Sequence, residues 1–190
     1  IYVGSERAGV DLLTRLTGFL AQRLKLTVNQ AKSAVARPWQ RKFLGYSMTG
    51  HQKPKLRIAA ASVQKLTAKL RDALRGAHGR HLATTIQQLN PVLRGWAAYF
   101  KLTATKRALA ERDGWIRRKL RCVLWRQWKR PYARARNLLQ RGLPEERAWR
   151  SACNQRGPWW NAGASHMNAA FPKSWFDHLG LGSLLDTVQR

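Results

Sequence analysis

Hydrophobic residues near the start of the chain recur at helical spacing. Apolar side chains at residues 12, 13, 16, 19, 20 and 24 fall on one face of a helix that follows Gly4-Ser5. The stretches 24–28, 33–36 and 41–49 are predicted to be extended, and residues 1–3 are a β-prone run with an unpaired edge. Gly45 lies within the aromatic part of the third stretch, where a glycine usually marks a bulge or a close backbone approach. Residues 1–50 are therefore predicted to form an α/β segment.

From residue 51 onward the spacing becomes helical. Val63, Leu66, Leu70 and Leu74 predict an amphipathic helix over about residues 59–75. Residues 76–79 contain two glycines and should end it. The whole of 51–150 is predicted to be a helical domain.

Two further helices are predicted from proline positions. Asn90-Pro91 suggests an N-cap followed by proline at the first helical position, which predicts a helix over about residues 91–103. A third helix, over about residues 106–130, should end at Pro131. The tryptophan-rich tail, residues 151–190, contains scattered Gly, Pro and Asn and is predicted to be irregular with short helices. The predicted fold class is α+β, mainly helical.

The third helix separates apolar from basic residues when it is projected at about 100° per residue. The predicted buried stripe consists of Ile116, Leu120, Val123, Leu124 and Gln127. The remaining arc carries the cations Arg112, Arg117, Arg118, Lys119, Arg121, Arg126 and Lys129. Trp115 and Trp125 project into this arc, where they could stack on RNA bases. Alternatively they pack under a neighbouring helix, which is the commoner environment for tryptophan.

The charge of the chain points to a polyanionic partner. Its 190 residues include 36 Lys and Arg against 9 Asp and Glu, for a formal charge of +27. An apolar fraction of 44% is sufficient for a folded core. No apolar run approaches the roughly 18 residues of a membrane-spanning helix, so nucleic acid is the expected partner. A second basic cluster comprises Arg37, Arg41, Lys42, Lys53, Lys55 and Arg57.

The sequence offers little for metal or nucleophilic chemistry. Cys122 and Cys153 have no neighbouring thiol, which disfavours a zinc site and fits a reducing cytosol. His78 and His81 lie in a glycine-containing loop with no acid or thiol near them. No two carboxylates have a spacing that suggests two-metal catalysis. We expect no cofactor and no metal in this chain.

Five segments resemble group II intron reverse transcriptases, also called maturases. LKLTVNQAKS at residues 24–33 and RKFLGY at 41–46 resemble the end of the palm. NPVLRGWAAYF at 90–100 and DGWIRRKLR at 113–121 are similar to the thumb, or maturase-specific domain X. GPWWNAGASHMN at 157–168 is similar to a segment that follows domain X in bacterial members.

The resemblance implies a cytoplasmic bacterial protein that binds its intron RNA and assists splicing and retrohoming. In its full form such a protein copies RNA into DNA with Mg²⁺, gripping an RNA template and a DNA primer. By the same resemblance, Lys32 would lie near the incoming nucleotide, and Phe43, Gly45 and Tyr46 would belong to the strand that grips the primer end. The predicted contacts to nucleic acid are Lys32, Arg41, Lys42, Phe43, Gly45, Tyr46, Arg94, Arg117, Arg118, Arg121, Trp125, Arg126, Lys129 and Arg130.

The family's Tyr-x-Asp-Asp box would precede residues 1–3, so this sequence is expected to be the C-terminal part, unable to polymerise alone. Its segments would be the end of the palm (1–50), the thumb or domain X (51–150) and the tail (151–190). The alternatives are an unrelated catalyst, a ribosomal or nucleoid-type protein that binds through charge alone, and a decayed intron reading frame.

Overall fold

The computed structural model describes residues 1–189, which form ten α-helices and one two-stranded sheet. The helices are α1 (Glu6–Leu24), α2 (Ala60–Ala73), α3 (Leu82–Tyr99), α4 (Arg107–Gln127), α5 (Pro131–Leu139), α6 (Glu145–Ala152), α7 (Pro158–Gly163), α8 (Ser165–Ala170), α9 (Lys173–His178) and α10 (Leu184–Gln189). The strands are β1 (Tyr46–Met48) and β2 (Leu56–Ile58), and two short 3-10 helices span Pro38–Gln40 and Ala77–Gly79. This confirms a mainly helical α+β fold.

The N-terminal segment agrees with the prediction only in its helix. Helix α1 begins after Ser5, whose Oγ accepts the Ala8 backbone N–H at 3.2 Å. The extended stretches at 24–28 and 33–36 and the edge strand at 1–3 are wrong, because no described residue there belongs to a strand. A lone stretch of apolar residues becomes a strand only where a partner satisfies its backbone groups. Within the described chain such pairing joins β1 to β2, and a single bridge joins Phe43 to Tyr46.

The 41–49 stretch forms a two-residue turn followed by the short strand β1, rather than one long strand. Phe43 and Tyr46 exchange two backbone hydrogen bonds of 2.9 Å around Leu44 and Gly45. Both central residues have positive φ, +48° and +79°, which is the geometry of a two-residue hairpin turn. A Cβ at Gly45 would lie 3.0 Å from the Phe100 ring and from Ser62 Oγ. The predicted close backbone approach at this glycine is therefore confirmed.

Helices α2 and α4 lie where the periodicity predicted them, but α3 does not. It begins at Leu82 and contains Pro91 in its interior, so the predicted start at Asn90-Pro91 is wrong. Pro91 is exposed and has no N–H to donate to the carbonyl of Gln87, four residues earlier. Gln87 is also exposed, so water can bond to that carbonyl instead. Pro131 does follow α4, and it also opens α5 at its first turn.

The core is built from α2, α3 and α4 and is completed by the tail. Leu70, Leu89, Leu93 and Leu120 are at most 1% exposed. Helices α7 to α10 are each six residues long, in agreement with the prediction of short helices. Their Met167, Phe171, Phe176 and Leu184 join the same hydrophobic cluster. The tail is therefore part of the folded unit that α4 belongs to.

Two polar side chains anchor the end of the tail. The Asn90 amide donates to the Gly180 carbonyl at 2.8 Å and its oxygen accepts the Gly182 N–H at 2.9 Å. The Asp113 carboxylate accepts from Ser183 Oγ at 2.7 Å and from the Leu184 N–H at 2.9 Å, just where α10 begins. A carboxylate at the start of a helix satisfies its free N–H groups and its dipole. Asn90 thus serves the tail instead of capping α3.

Candidate nucleic-acid interface

The apolar stripe of α4 is buried as predicted. Ile116 and Leu120 are at most 1% exposed, and Val123 and Leu124 are also in the core. Gln127 is half-buried, and its Nε2 donates to the Arg80 carbonyl at 2.8 Å. Because this stripe faces the core, the basic arc on the rest of α4 faces away from the core formed with α2 and α3.

Part of the basic arc is covered by the tail. Arg118 donates from Nε and from a terminal nitrogen to the Trp159 carbonyl, at 3.3 and 3.0 Å, and its guanidinium lies 4.1 Å from the Trp159 ring centroid. A Cβ at Gly163 would come within 2.6 Å of the same guanidinium. Arg118 therefore docks α7 onto α4, and its charge is only partly available to a ligand.

Arg121 is a buried structural residue, which corrects its assignment to the binding surface. It is 7% exposed, donates from Nε to the Phe171 carbonyl at 2.9 Å, and lies over the Phe176 ring at 5.5 Å. Burial, and to a lesser extent the charge of Arg117, lowers the pKa of Arg121 to about 10. The side chain is still protonated at neutral pH, but its donors are directed into the tail.

Trp125 is also corrected, because it is fully buried and has no face open to a base. Its ring lies 5.5 Å from that of His166 and 6.2 Å from that of Trp128. Within residues 1–189, Trp125 Nε1 and His166 Nε2 are buried without a hydrogen-bond partner. Burial, with a smaller contribution from Arg147, lowers the pKa of the His166 imidazole, so the ring is neutral at pH 7. Trp125 therefore packs in the core, which is the alternative to stacking on RNA.

Beside the basic arc of α4 lies an exposed tryptophan, Trp159. It belongs to α7, so a helical projection of α4 does not include it. Trp159 is 39% exposed. Lys119 Nζ lies 4.8 Å from the Trp159 centroid and 5.5 Å from that of Trp115. On the other side of Trp115 lies the Arg71 guanidinium, at 6.0 Å. Cations and indoles thus alternate along the junction of α2, α4 and α7.

The remaining predicted cations are accessible. Arg112 and Arg117 are half-buried, and the others are exposed. We call Arg126, Lys129 and Arg130 the helix-end patch, since they are exposed at and just beyond the C-terminal end of α4. Arg94 is exposed on α3, and Lys32, Arg41 and Lys42 are exposed in the segment before the hairpin. Such cations can contact phosphates without sequence preference.

A second accessible surface is the turn patch, formed by Arg41, Lys42, Phe43 and Leu44. Phe43 is 79% exposed and Leu44 is 65% exposed at the tip of the hairpin. The Tyr99 hydroxyl donates to the Leu44 carbonyl at 3.0 Å, and the Tyr46 hydroxyl donates to the Tyr99 carbonyl at 2.8 Å. These bonds hold the turn while its apolar side chains face solvent. Gly45 and Tyr46 are half-buried and support the turn from behind.

The few carboxylates leave the positive charge largely uncompensated. Five ion pairs link described residues, all between exposed side chains: Arg15–Asp11, Arg75–Asp72, Arg107–Glu111, Arg150–Glu146 and Lys173–Asp186. None of them involves the helix-end patch or the turn patch. Both patches therefore keep their full charge for a polyanion.

The described residues contain no candidate for two other classes of site. Over residues 1–189, no group of three or more His, Cys, Asp or Glu side chains is placed to hold a metal ion. In the same range, no helix has the length and apolarity needed to cross a membrane.

Comparison with known families identifies the central segment. Residues 63–142 match the family described as group II intron, maturase-specific domain. None of the curated proteins matches the chain. The matched segment contains α3, α4 and α5 and most of α2. This match confirms the resemblance for residues 63–142 and supports involvement in group II intron splicing.

Proposed function

We propose that this chain binds the RNA of a group II intron through exposed cations of its maturase-specific domain and thereby assists splicing. The observation that carries the proposal is the coincidence of the family match with a strongly basic surface. The matched residues 63–142 contain the helix-end patch, Arg94 and Lys119. Cations in this density release counterions when they meet a phosphate backbone, which is the main source of RNA affinity.

Preference for intron RNA would distinguish this function from charge-only binding. Binding of a group II intron RNA and of a transfer RNA is measured at the same salt concentrations by fluorescence anisotropy. The proposal expects tighter binding of the intron RNA at every salt concentration. Equal affinity for both RNAs would favour a generic basic RNA-binding protein and would sink the proposal.

The helix-end patch can be tested by removing its charge. Replacing Arg126, Lys129 and Arg130 together by Ala should weaken intron binding and reduce the salt slope by about 0.7 to 0.9 per lost phosphate contact. A matched control replaces Arg7, Arg23 and Lys25, which are exposed on and just after α1, outside the matched segment. Equal losses in the two triple variants would mean that only total charge matters.

We further propose that the turn patch contacts a template–primer duplex in a reverse transcriptase of this family. Its support is the rigid hairpin turn that presents Phe43 and Leu44 beside Arg41 and Lys42. Phe43→Ala should weaken binding of an RNA–DNA hybrid and leave binding of intron RNA unchanged. An equal effect on both ligands would show that the turn has no role specific to the primer duplex.

A further inference from the structure

A concave pocket lies behind the end of α4, away from the residues assigned above. It has a volume of about 570 Å³ and is bounded by the Ala77–Gly79 turn, the start of α3, the end of α4, α5 and α9. This volume is in the range of pockets that bind small planar ligands. A second hollow of about 420 Å³ shares Gln140, Arg141 and Trp175 with it, so the two hollows are adjacent.

One wall of the pocket is aromatic. Trp128, Phe171 and Trp175 line it, with ring centroids 5.7 Å apart for Trp128–Phe171 and 4.7 Å apart for Phe171–Trp175. The Arg141 guanidinium lies 4.9 Å from the Trp175 centroid and 5.4 Å from that of Phe171. Arg134 fixes the wall from outside by donating to the Trp128 carbonyl at 2.9 Å. Trp128 and Phe171 are at most 9% exposed, so the surfaces open to an entering planar ring are the half-buried Trp175 and the exposed Arg141 guanidinium beside it.

The polar groups of the pocket are amides, imidazoles and guanidiniums. Gln127 and Asn137 donate through their nitrogens to the carbonyls of Arg80 and Ala133, at 2.8 and 2.7 Å. Their side-chain oxygens can therefore accept hydrogen bonds from a ligand. His78 and His81 also line the pocket.

None of the residues that line the pocket is Asp or Glu. An anionic ligand therefore meets no like charge in its wall. An aromatic surface at Trp175, amide oxygens that can accept from ring amino groups, and cations for phosphate suit a nucleotide.

We propose that this pocket takes a single unpaired nucleotide of the bound RNA, with the base against the aromatic wall and the phosphate near Arg141. The inference rests on the proposed RNA-binding function and deepens it by naming the structural class of RNA. A base inside a duplex is stacked on both faces and cannot enter a concave pocket, whereas a bulged or loop nucleotide can. Trp128 is followed at once by Lys129 and Arg130 of the helix-end patch, so the pocket and the patch both lie at the C-terminal end of α4.

The test compares three RNA hairpins of equal length at one salt concentration. The first carries a one-nucleotide adenosine bulge, the second has an abasic bulge, and the third is fully paired. The full chain should bind the adenosine bulge about tenfold more tightly than either of the other hairpins. Measurable but equal binding of all three would overturn the pocket and leave the proposed function intact, while no binding of any hairpin or of intron RNA would overturn both.

Variants of pocket residues test whether the preference for the bulged hairpin arises in this pocket. Arg141→Ala should bring the tenfold preference down to less than about twofold. Arg136→Ala removes an equal charge from an exposed position on α5, and it should lower all three affinities alike and keep the preference. Gln140→Ala, at an exposed residue of the pocket rim, serves if Arg141→Ala alters the circular dichroism, and it should reduce the preference at least threefold. An unchanged preference in Gln140→Ala and in any folded Arg141→Ala would overturn the assignment.

A free mononucleotide could occupy the pocket through the same contacts as a nucleotide of an RNA strand. Adenosine monophosphate at millimolar concentration should compete only weakly with the bulged hairpin, because it lacks the flanking phosphates that reach the helix-end patch. Tight binding of the mononucleotide, together with equal affinity for the bulged and paired hairpins, would overturn the assignment to an RNA strand.

Discussion

Arg121 Nε donates a hydrogen bond of 2.9 Å to the carbonyl of Phe171, fifty positions later in the chain. This contact joins the middle of α4 to the residue that follows α8. A guanidinium that bonds a buried carbonyl and lies over the Phe176 ring stabilises the packing of the tail. The basic arc of α4 therefore has two parts: one docks the tail, and the other, at the end of the helix, carries exposed cations.

Arg121→Ala should lower the free energy of unfolding by about 1–3 kcal/mol, because the Phe171 carbonyl loses a charged donor. The salt slope of RNA binding should be nearly unchanged. Urea denaturation and anisotropy titrations measure the two quantities. Arg117→Ala, which alters a half-buried neighbour on the same helix, is the control and should cost less stability. A stable Arg121→Ala protein with a reduced salt slope would contradict the structural role.

Trp125→Ala should lower the free energy of unfolding by about 3–5 kcal/mol, since it removes a fully buried indole from the core. Trp159→Ala is the matched control, because Trp159 is 39% exposed and its loss leaves no internal cavity. Thermal unfolding followed by circular dichroism would separate them, with Trp125→Ala showing the larger drop. Equal drops would mean that Trp159 contributes as much to packing as Trp125 does.

The helices with long apolar repeats could be predicted from the sequence, and the contacts of the tail could not. Leu66, Leu70, Ile116 and Leu120 recur at helical spacing, so α2 and α4 follow from local pattern alone. Asn90-Pro91 has the local chemistry of a helix start, so the sequence predicts the start of α3 too late in the chain. The Asn90 side chain is instead used by Gly180 and Gly182, about ninety positions away.

The same limit applies to the candidate interface. A helical projection shows that Arg121 and Trp125 lie off the apolar stripe, but it does not show what covers them. The tail helices have six residues each, too few for a periodic signal that would reveal a docking face. The density of tryptophan in residues 157–175 was the available hint, because such side chains bury large areas when they find a surface.

Asp113→Ala should loosen the C-terminal end of the tail. The Asp113 carboxylate accepts from Ser183 Oγ and from the N–H groups of Leu184 and Leu185, so its loss leaves these two N–H groups without that acceptor. We expect a cost of about 1–2 kcal/mol and faster hydrogen exchange over residues 183–189. Glu111→Ala, which breaks only the exposed pair with Arg107, should leave this exchange unchanged. Unchanged exchange in Asp113→Ala would show that packing against α3 and α4 is sufficient to hold α10.

His166 should make the folded state sensitive to acid. Burial, and secondarily Arg147, lowers the pKa of its imidazole below the usual 6.5. Below that pH the unfolded chain binds a proton that the folded chain resists, so this contribution is complete above about pH 6.5 and is lost as the pH falls. The melting temperature should therefore fall from pH 7.5 to 5.5. His166→Phe keeps a ring beside Trp125 and Trp160 but cannot titrate, so its melting temperature should depend less on pH over this range. An identical pH dependence in the two proteins would assign the acid sensitivity to other groups.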